Sequence, residues 1–116
     1  HANINVEYDL PQHIPYRIFS SDEKRNLYLL VKEAVHNAIK HSGADLVNIK
    51  CAIADTIEFT VTDNGRGFDT AFIKKTGNGL FNYKKRIGKL NGHYQLITAP
   101  GKGTKIIFTI PFGNIL

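Results

Sequence analysis

Residues 57–68 read IEFTVTDNGRGF, an alternating apolar and polar run that ends in an acid followed by two glycines. The alternation over residues 57–62 has the period of a β-strand with one apolar face, so Asp63 is predicted at the end of a strand. A carboxylate held there can accept a hydrogen bond from an exocyclic amine such as that of adenine. Gly65 and Gly67 permit a positive φ and the close approach of a ligand to the backbone. The stretch predicts a nucleotide site, although an Asx-type turn at a strand end has the same signature.

The length and composition of the chain favour one small domain. Its 116 residues are 42% hydrophobic, which suits a single globular domain with a modest core over residues 1–116. We expect this domain to be a fragment of a longer protein, because the sequence opens at His1 without a methionine. No apolar run approaches the roughly 20 residues that span a bilayer. The single Cys51 excludes an internal disulfide, so we predict a soluble domain in a reducing, cytoplasmic setting.

The net charge of +5 invites a nucleic-acid interpretation, since clustered lysine and arginine neutralise phosphates. The dense basic groups are Lys74-Lys75 and Lys84-Lys85-Arg86, and neither is interleaved with aromatic residues in a recognisable nucleic-acid motif. We therefore predict no nucleic-acid partner and assign the charge to solvated or polyphosphate-facing surface.

The remaining patterns predict a mixed order of strands and helices. Ser20 and Glu23 form a capping-box signature for a helix that begins near Ser21 and ends at Gly43. That helix has an apolar stripe of Leu27, Leu30, Val31, Ala34, Val35 and Ala38. Strands are predicted over residues 4–8, 47–53 and 57–62, a second helix over Gly79–Leu90 ended by Asn91-Gly92, and a final hairpin of residues 94–98 and 105–110.

A set of polar residues lies on the first helix, on a face predicted to turn away from the apolar centre. Glu33, Asn37 and Lys40 fall within roughly 60° of arc, with His41 at its edge. An acid, a neutral oxygen ligand, a cation and an imidazole suit a magnesium phosphate better than a transition metal. An ordinary solvated face with i,i+4 pairs explains the same pattern and is the simpler interpretation of the helix alone.

The second helix is preceded by Gly77-Asn78-Gly79-Leu80. Free N–H groups and the positive end of the helix dipole at such a position can receive phosphate oxygens, and the glycines admit the ligand to the backbone. A glycine pair before a helix is weak evidence alone. Three such elements in order are much more specific.

Residues 33–41, 63–67 and 77–80 together resemble the N, G1 and G2 boxes of the GHKL ATPase superfamily, in the order and spacing of its histidine-kinase branch. The resemblance covers nearly the whole chain. The short lid at residues 69–76, together with residues 81–87, is similar to the nitrate-sensor and lipid-desaturase-sensor kinases. The fold implied is the Bergerat ATP-binding fold, a two-layer α/β (α+β) sandwich in which helices cover one face of a mixed sheet.

The resemblance also implies a role for each box residue. Asp63 would recognise the adenine amine, Thr104 would support the same base edge through a water, and Asn37 would ligate Mg²⁺. Gly65 and Gly67 would hinge the lid. Glu33 matches the general base of the superfamily's ATPases, although in the kinases the acid beside the phosphoacceptor histidine often has that role. The whole implied ATP-binding set is Asn37, Lys40, His41, Asp63, Gly65, Gly67, Phe68, Gly77, Gly79, Leu80 and Thr104.

The function implied is that of the catalytic, ATP-binding domain of a two-component sensor histidine kinase. It would transfer the γ-phosphoryl group of ATP, with Mg²⁺, to a histidine on a separate dimerisation domain of the same parent, with a response regulator downstream. None of the five histidines lies in a helical context before the N box with the expected acidic neighbour. We expect a monomeric isolated domain in the cytoplasm and a homodimeric parent, for which an inner-membrane sensor is one candidate.

Two alternatives use the same boxes. One is a stand-alone serine kinase of the anti-sigma-factor type, and the other is a non-catalytic nucleotide-sensing or protein-docking module. Intact Glu33, Asn37 and Asp63 argue against the second. An upstream helical segment with a histidine and an adjacent acid would support the histidine kinase over the first.

Overall fold

The computed structural model of the protein describes residues 4–11, 20–41, 43–67 and 78–111, with the side chains of residues 40–41 and 78–82 outside that description. Each of the two described helices is followed by a pair of consecutive strands. Their order is β1 (Asn5–Asp9), α1 (Ser21–His41), β2 (Leu46–Ile53), β3 (Thr56–Asp63), α2 (Asn78–Lys89), β4 (His93–Thr98) and β5 (Thr104–Pro111).

The five strands form one mixed sheet in the order β1-β2-β3-β5-β4. β1 runs parallel to β2, and the other neighbouring strands are antiparallel. β3 therefore lies in the middle of the sheet, with β2 on one side and β5 on the other. The end of β3, where Asp63 lies, is enclosed by neighbouring chain on both sides.

The start of α1 is the predicted capping box. The Ser20 amide donates to Glu23 Oε1 over 3.0 Å, and the Glu23 amide donates to Ser20 Oγ over 3.1 Å. These reciprocal bonds satisfy two donors that the first helical turn leaves without partners. Gly43 follows the helix with a φ of 70°, the left-handed conformation that commonly terminates helices.

Both helices cover the same face of the sheet, as predicted. The buried members of the α1 stripe are Leu30, Ala34 and Ala38, and Leu27 and Val35 pack against them partly buried. Because side chains alternate along a strand, each of β2, β3 and β5 contributes every second residue to this core. The other core residues are Val47, Ile57, Val61, Tyr83, Ile87, Leu90, Ile106, Phe108 and Ile110. The predicted two-layer α/β architecture is confirmed.

The second half of the chain also follows its sequence signals. Asn91 has a φ of 56°, and the Gly92 amide donates to the Ile87 carbonyl over 3.0 Å, so α2 ends at the predicted Asn-Gly pair. Between β4 and β5 the Lys102 amide donates to the Ala99 carbonyl over 3.0 Å, and Gly101 has a φ of 77°. Proline followed by a glycine of positive φ is the signature of a type II turn. Neither described helix is long and apolar enough to cross a membrane.

Candidate nucleotide site

Asp63 is the last residue of β3 and is only 8% exposed. Its Oδ1 accepts a hydrogen bond from the Gly65 amide over 2.8 Å, which is an Asx-type turn. The turn and the binding-site hypotheses are therefore compatible, because the turn orients a buried carboxylate. A buried acid is rare without a partner or a function, and this one lies at a loop rather than in the middle of the core.

Thr104 is the direct neighbour of Asp63 across the β3–β5 pair. Thr98 is in turn paired with Thr104 on β4, and the two threonine Oγ1 atoms are 3.0 Å apart. Thr98 Oγ1 also donates to the Gly103 carbonyl over 3.1 Å. The sheet therefore places one acid and two hydroxyls in a row across three strands. Asp63 and Thr104 are predicted site residues, whereas the sequence did not indicate Thr98.

Two glycines allow this end of the sheet to close. Gly67 has a φ of 63°, and a β-carbon there would lie 2.0 Å from the Ala99 carbonyl oxygen. Gly103 has a φ of 73°, and a β-carbon there would lie 2.3 Å from the Asp63 carbonyl oxygen. Only glycine fits at either position. Among the described residues with a positive φ, Gly65 does not appear, so its predicted left-handed freedom is not used and its amide instead serves Asp63.

Asn64 ties the loop after β3 to the connection that leads into β2. Its Oδ1 accepts from the amides of Asp45 and Leu46, each over 3.1 Å, and its Nδ2 donates to Asp45 Oδ1 over 2.6 Å. The Asn64 amide also donates to the Leu46 carbonyl over 3.3 Å. On the other side of the loop, the Gly101 amide donates to the Arg66 carbonyl over 2.5 Å. The loop is thus held between two separate parts of the fold.

The polar face of α1 is not an ordinary solvated face. Glu33 and Asn37 are half-buried, and Asn37 Nδ2 donates to the hydroxyl oxygen of Tyr83 on α2 over 2.6 Å. The prediction that this face turns away from the apolar centre was wrong at Asn37, because α2 packs beside α1 and brings a core tyrosine to it. Burial raises the pKa of Tyr83 to about 12; the hydrogen bond from Asn37 lowers that pKa, and the nearby Glu33 carboxylate raises it further.

The remaining predicted residues lie at helix ends or outside the described residues. Lys40 and His41 are the last residues of α1, and Gly79 and Leu80 are in the first turn of α2; their side chains are not described. α1 has Asp22 and Glu23 in its first turn, whereas the first turn of α2 has no acidic residue that would oppose an anion. The residues outside the description are Phe68, Gly77 and the lid at 69–76.

The fold and this arrangement define a class of protein, an α/β domain with a buried acid at the end of its central strand, beside a loop closed by two glycines. The chain belongs to the histidine kinase-, DNA gyrase B-, and HSP90-like ATPase family, whose model matches residues 22–114. The predicted superfamily is therefore confirmed, and a domain of this family uses ATP.

Curated relatives narrow the family to its histidine-kinase members. The chain is 41% identical over 87 residues to the signal transduction histidine-protein kinase/phosphatase DegS of Brevibacillus brevis, covering 73% of this chain and 22% of that protein. It is 30% identical over 109 residues to the sensor histidine kinase LiaS of Bacillus subtilis, covering 93% of this chain and 29% of that protein. The chain is thus an ATPase domain of the sensor-histidine-kinase type that spans about a quarter of the length of these relatives.

Solved structures share the fold. The blue-light activated histidine kinase EL346 of Erythrobacter litoralis superposes with a TM-score of 0.78 at 22% identity, over 97% of this chain and 36% of that one. The histidine kinase AdeS of Acinetobacter baumannii gives the same TM-score and identity, over 97% of this chain and 56% of that one. The nitrate-sensor and desaturase-sensor subfamily stays a prediction.

Proposed function

We propose that this domain binds ATP together with Mg²⁺ and donates the γ-phosphoryl group to a histidine on a separate dimerisation domain of its parent protein. The observation that carries the proposal is Asp63, a buried acid at the end of the central strand, framed by Gly67 and Gly103. The two glycines let neighbouring backbone segments pack directly against the end of β3, which fixes the place of this carboxylate. The family supplies the identity of that ligand as ATP.

Adenine specificity would come from Asp63. Its carboxylate accepts a hydrogen bond from the exocyclic amine of adenine, whereas guanine would direct a carbonyl oxygen at the same group and be repelled. The hydroxyl of Thr104, one strand away, would hold a water against the same base edge. Phe68 would line the base side of the site, and Gly65 and Gly67 would form the hinge of the lid.

The residues present fit a magnesium site. Asn37 would contribute an amide oxygen, a hard donor of the kind that Mg²⁺ prefers, from the half-buried face of α1. The described residues contain no group of three or more histidine, cysteine, aspartate or glutamate side chains that could hold a metal by themselves. Mg²⁺ needs few protein ligands, because it takes most of its ligands from water and substrate phosphates. The cation supplies charge neutralisation at the transferring phosphoryl group.

The phosphates would lie between the ends of α1 and α2. Gly77, Gly79 and Leu80 would present backbone amides at the start of α2, where the helix dipole is positive and the first turn carries no acid. Lys40 would approach the phosphates and His41 would lie against the nucleotide. Glu33 would be the general base only if no acid on the acceptor domain takes that role.

The acceptor would come from outside residues 1–116. Of the described histidines, His36 and His41 lie on α1 itself and His93 begins β4, so none of the three belongs to a further helix that faces the site. A nucleophile on the same rigid element as the metal ligand is poorly placed for in-line attack. We therefore propose a dimerisation and phosphoacceptor domain of the same parent as the partner, a response regulator downstream, a homodimeric parent and a cytoplasmic location for this domain.

Two measurements test this function. Calorimetric titration with ATP, ADP and GTP, with magnesium or with a chelator, should show binding of the adenine nucleotides only, tighter with magnesium for ATP. Incubation with γ-labelled ATP should then leave the chain itself unlabelled but transfer label to a supplied dimerisation domain of the same parent. Acid-labile label on residues 1–116 alone would contradict the proposal, and acid-stable label on a serine of a supplied partner would favour the anti-sigma-factor alternative.

A further inference from the structure

The side-chain amide of Asn37 has a hydrogen-bond partner on the neighbouring helix α2. Its Nδ2 donates to the hydroxyl oxygen of Tyr83 over 2.6 Å, a contact that joins residues 46 positions apart. It is the one side-chain hydrogen bond between α1 and α2 found among the described residues. The bond therefore reaches the proposed magnesium ligand from the neighbouring helix, and none of the roles proposed so far uses it.

The partner in this hydrogen bond is tightly packed. Tyr83 is 5% exposed, and its ring makes edge-to-face contacts with Phe108 at a centroid distance of 5.5 Å and with Tyr94 at 6.3 Å. Phe108 is fully buried in the central part of the sheet. The hydroxyl is therefore held by packing against β4 and β5, and it offers an acceptor at a fixed place.

A fixed acceptor matters because an asparagine amide has two different ends. The nitrogen end only donates and the oxygen end only accepts, and rotation of about 180° around the last side-chain bond exchanges them. A cation can be bound by the oxygen end alone. An asparagine without a partner would populate both orientations, and half of these would face the cation with N–H groups.

We propose that Tyr83 is a positioning residue for the proposed magnesium ligand: by accepting the Asn37 N–H, its hydroxyl fixes the amide orientation that directs the oxygen away from α2 and toward the metal. This inference rests on the proposed magnesium role of Asn37. Tyr83 itself touches neither the metal nor the nucleotide. Its effect is confined to the magnesium-dependent part of the binding.

Tyr83→Phe removes the hydroxyl and keeps the ring that packs on Phe108. We expect this variant to bind a non-hydrolysable ATP analogue about threefold to tenfold more weakly with magnesium, the range of one hydrogen bond, and less than about twofold more weakly in chelator. Tyr94→Phe is the matched control, since Tyr94 packs against the ring of Tyr83 whereas the hydrogen bond of Asn37 goes to Tyr83. It should bind as the wild type does under both conditions.

The outcomes separate the two proposals. Equal loss for Tyr83→Phe with and without magnesium, or no loss at all, would overturn the positioning role while leaving the proposed function in place. A wild type that gains nothing from magnesium would overturn both. A second readout needs no nucleotide: the ¹⁵N-resolved side-chain amide signal of Asn37 should shift in Tyr83→Phe and not in Tyr94→Phe, and an unmoved signal would show that the hydrogen bond is absent.

Discussion

The backbone of Gly103 lies against the carbonyl of Asp63, so closely that a β-carbon at residue 103 would stand 2.3 Å from the carbonyl oxygen. The turn before β5 therefore packs directly against the end of β3, backbone against backbone, with no side chain between them. Gly101, two residues earlier, also has a positive φ but faces open space. Substitutions at these two glycines can therefore distinguish the free-energy cost of a left-handed backbone from the cost of disturbing this backbone contact.

Gly103→Ala should destabilise the domain more than Gly101→Ala. Both variants incur the left-handed penalty of about 1–2 kcal/mol. Only the alanine at 103 also displaces the Asp63 backbone, which adds a further ~1–3 kcal/mol. Urea unfolding measures the difference, and ATP affinity should fall in Gly103→Ala alone. Equal effects of the two substitutions on stability and binding would contradict this fit.

Asp63→Asn should weaken ATP binding by about 1–3 kcal/mol, because a charged acceptor for the adenine amine is replaced by a neutral one. Asparagine can accept the Gly65 amide as well as aspartate does, so the turn survives and the change isolates the carboxylate. Asp55→Asn, at the exposed opposite end of the β2–β3 hairpin, is the control. Calorimetry that gives the same ATP affinity for Asp63→Asn and the wild type would show that the adenine assignment is wrong.

The domain should lose stability in alkali through Tyr83. Its pKa is raised from the ordinary 10 to about 12 in the folded state, chiefly by burial, so the unfolded chain releases this proton first. The stabilisation is complete below pH 10 and is lost as the pH rises through 12, by roughly 1–3 kcal/mol. Urea unfolding across that window should show a steeper fall for the wild type than for Tyr83→Phe. Tyr28→Phe, at an exposed ring, should follow the wild type, and parallel curves for wild type and Tyr83→Phe would refute this prediction.

Gly88→Ala should stabilise the domain by about 0.5–1 kcal/mol. Residue 88 is exposed within α2, and a β-carbon there meets nothing within 4 Å, so the gain is the ordinary helix preference for alanine over glycine. Gly92→Ala should have the opposite effect, because its β-carbon would lie 2.4 Å from the Thr109 carbonyl oxygen. Thermal unfolding measures both, and a destabilised Gly88→Ala would mean that α2 differs at residue 88 from the helix described.

The features that the sequence predicted are those encoded within a few residues. The capping box of Ser20 and Glu23, the strand that ends at Asp63 and the helix stop at Asn91 each depend on neighbours within one turn or one strand. The family resemblance assigned Asp63 and Thr104 to one edge of the base, and the strand register places the two residues side by side. Their roles toward a nucleotide stay predictions.

The features that were missed join distant parts of the chain. The bond between Asn37 and Tyr83 depends on how two helices lie beside each other, which no local period encodes. In the sequence, Tyr83 stood out only as part of residues 81–87, which are similar to the nitrate-sensor and lipid-desaturase-sensor kinases. The fit of Gly103 depends in the same way on the register of β3 and β5, although the Pro100-Gly101 pair could have identified the type II turn before it.

Asn64 has a consequence for how this domain is assembled. Its side chain donates a hydrogen bond to Asp45, and the carbonyl of Arg66 in the same loop accepts one from Gly101. Three segments that are far apart in sequence are therefore joined at this end of the sheet. A slip of one residue in the β2–β3 or β3–β5 pairing would turn Asp63 to the opposite face of the sheet. With the proposed role of Asp63, nucleotide capture requires both pairings in register, and during refolding it should appear with the slowest long-range step rather than with the formation of either helix.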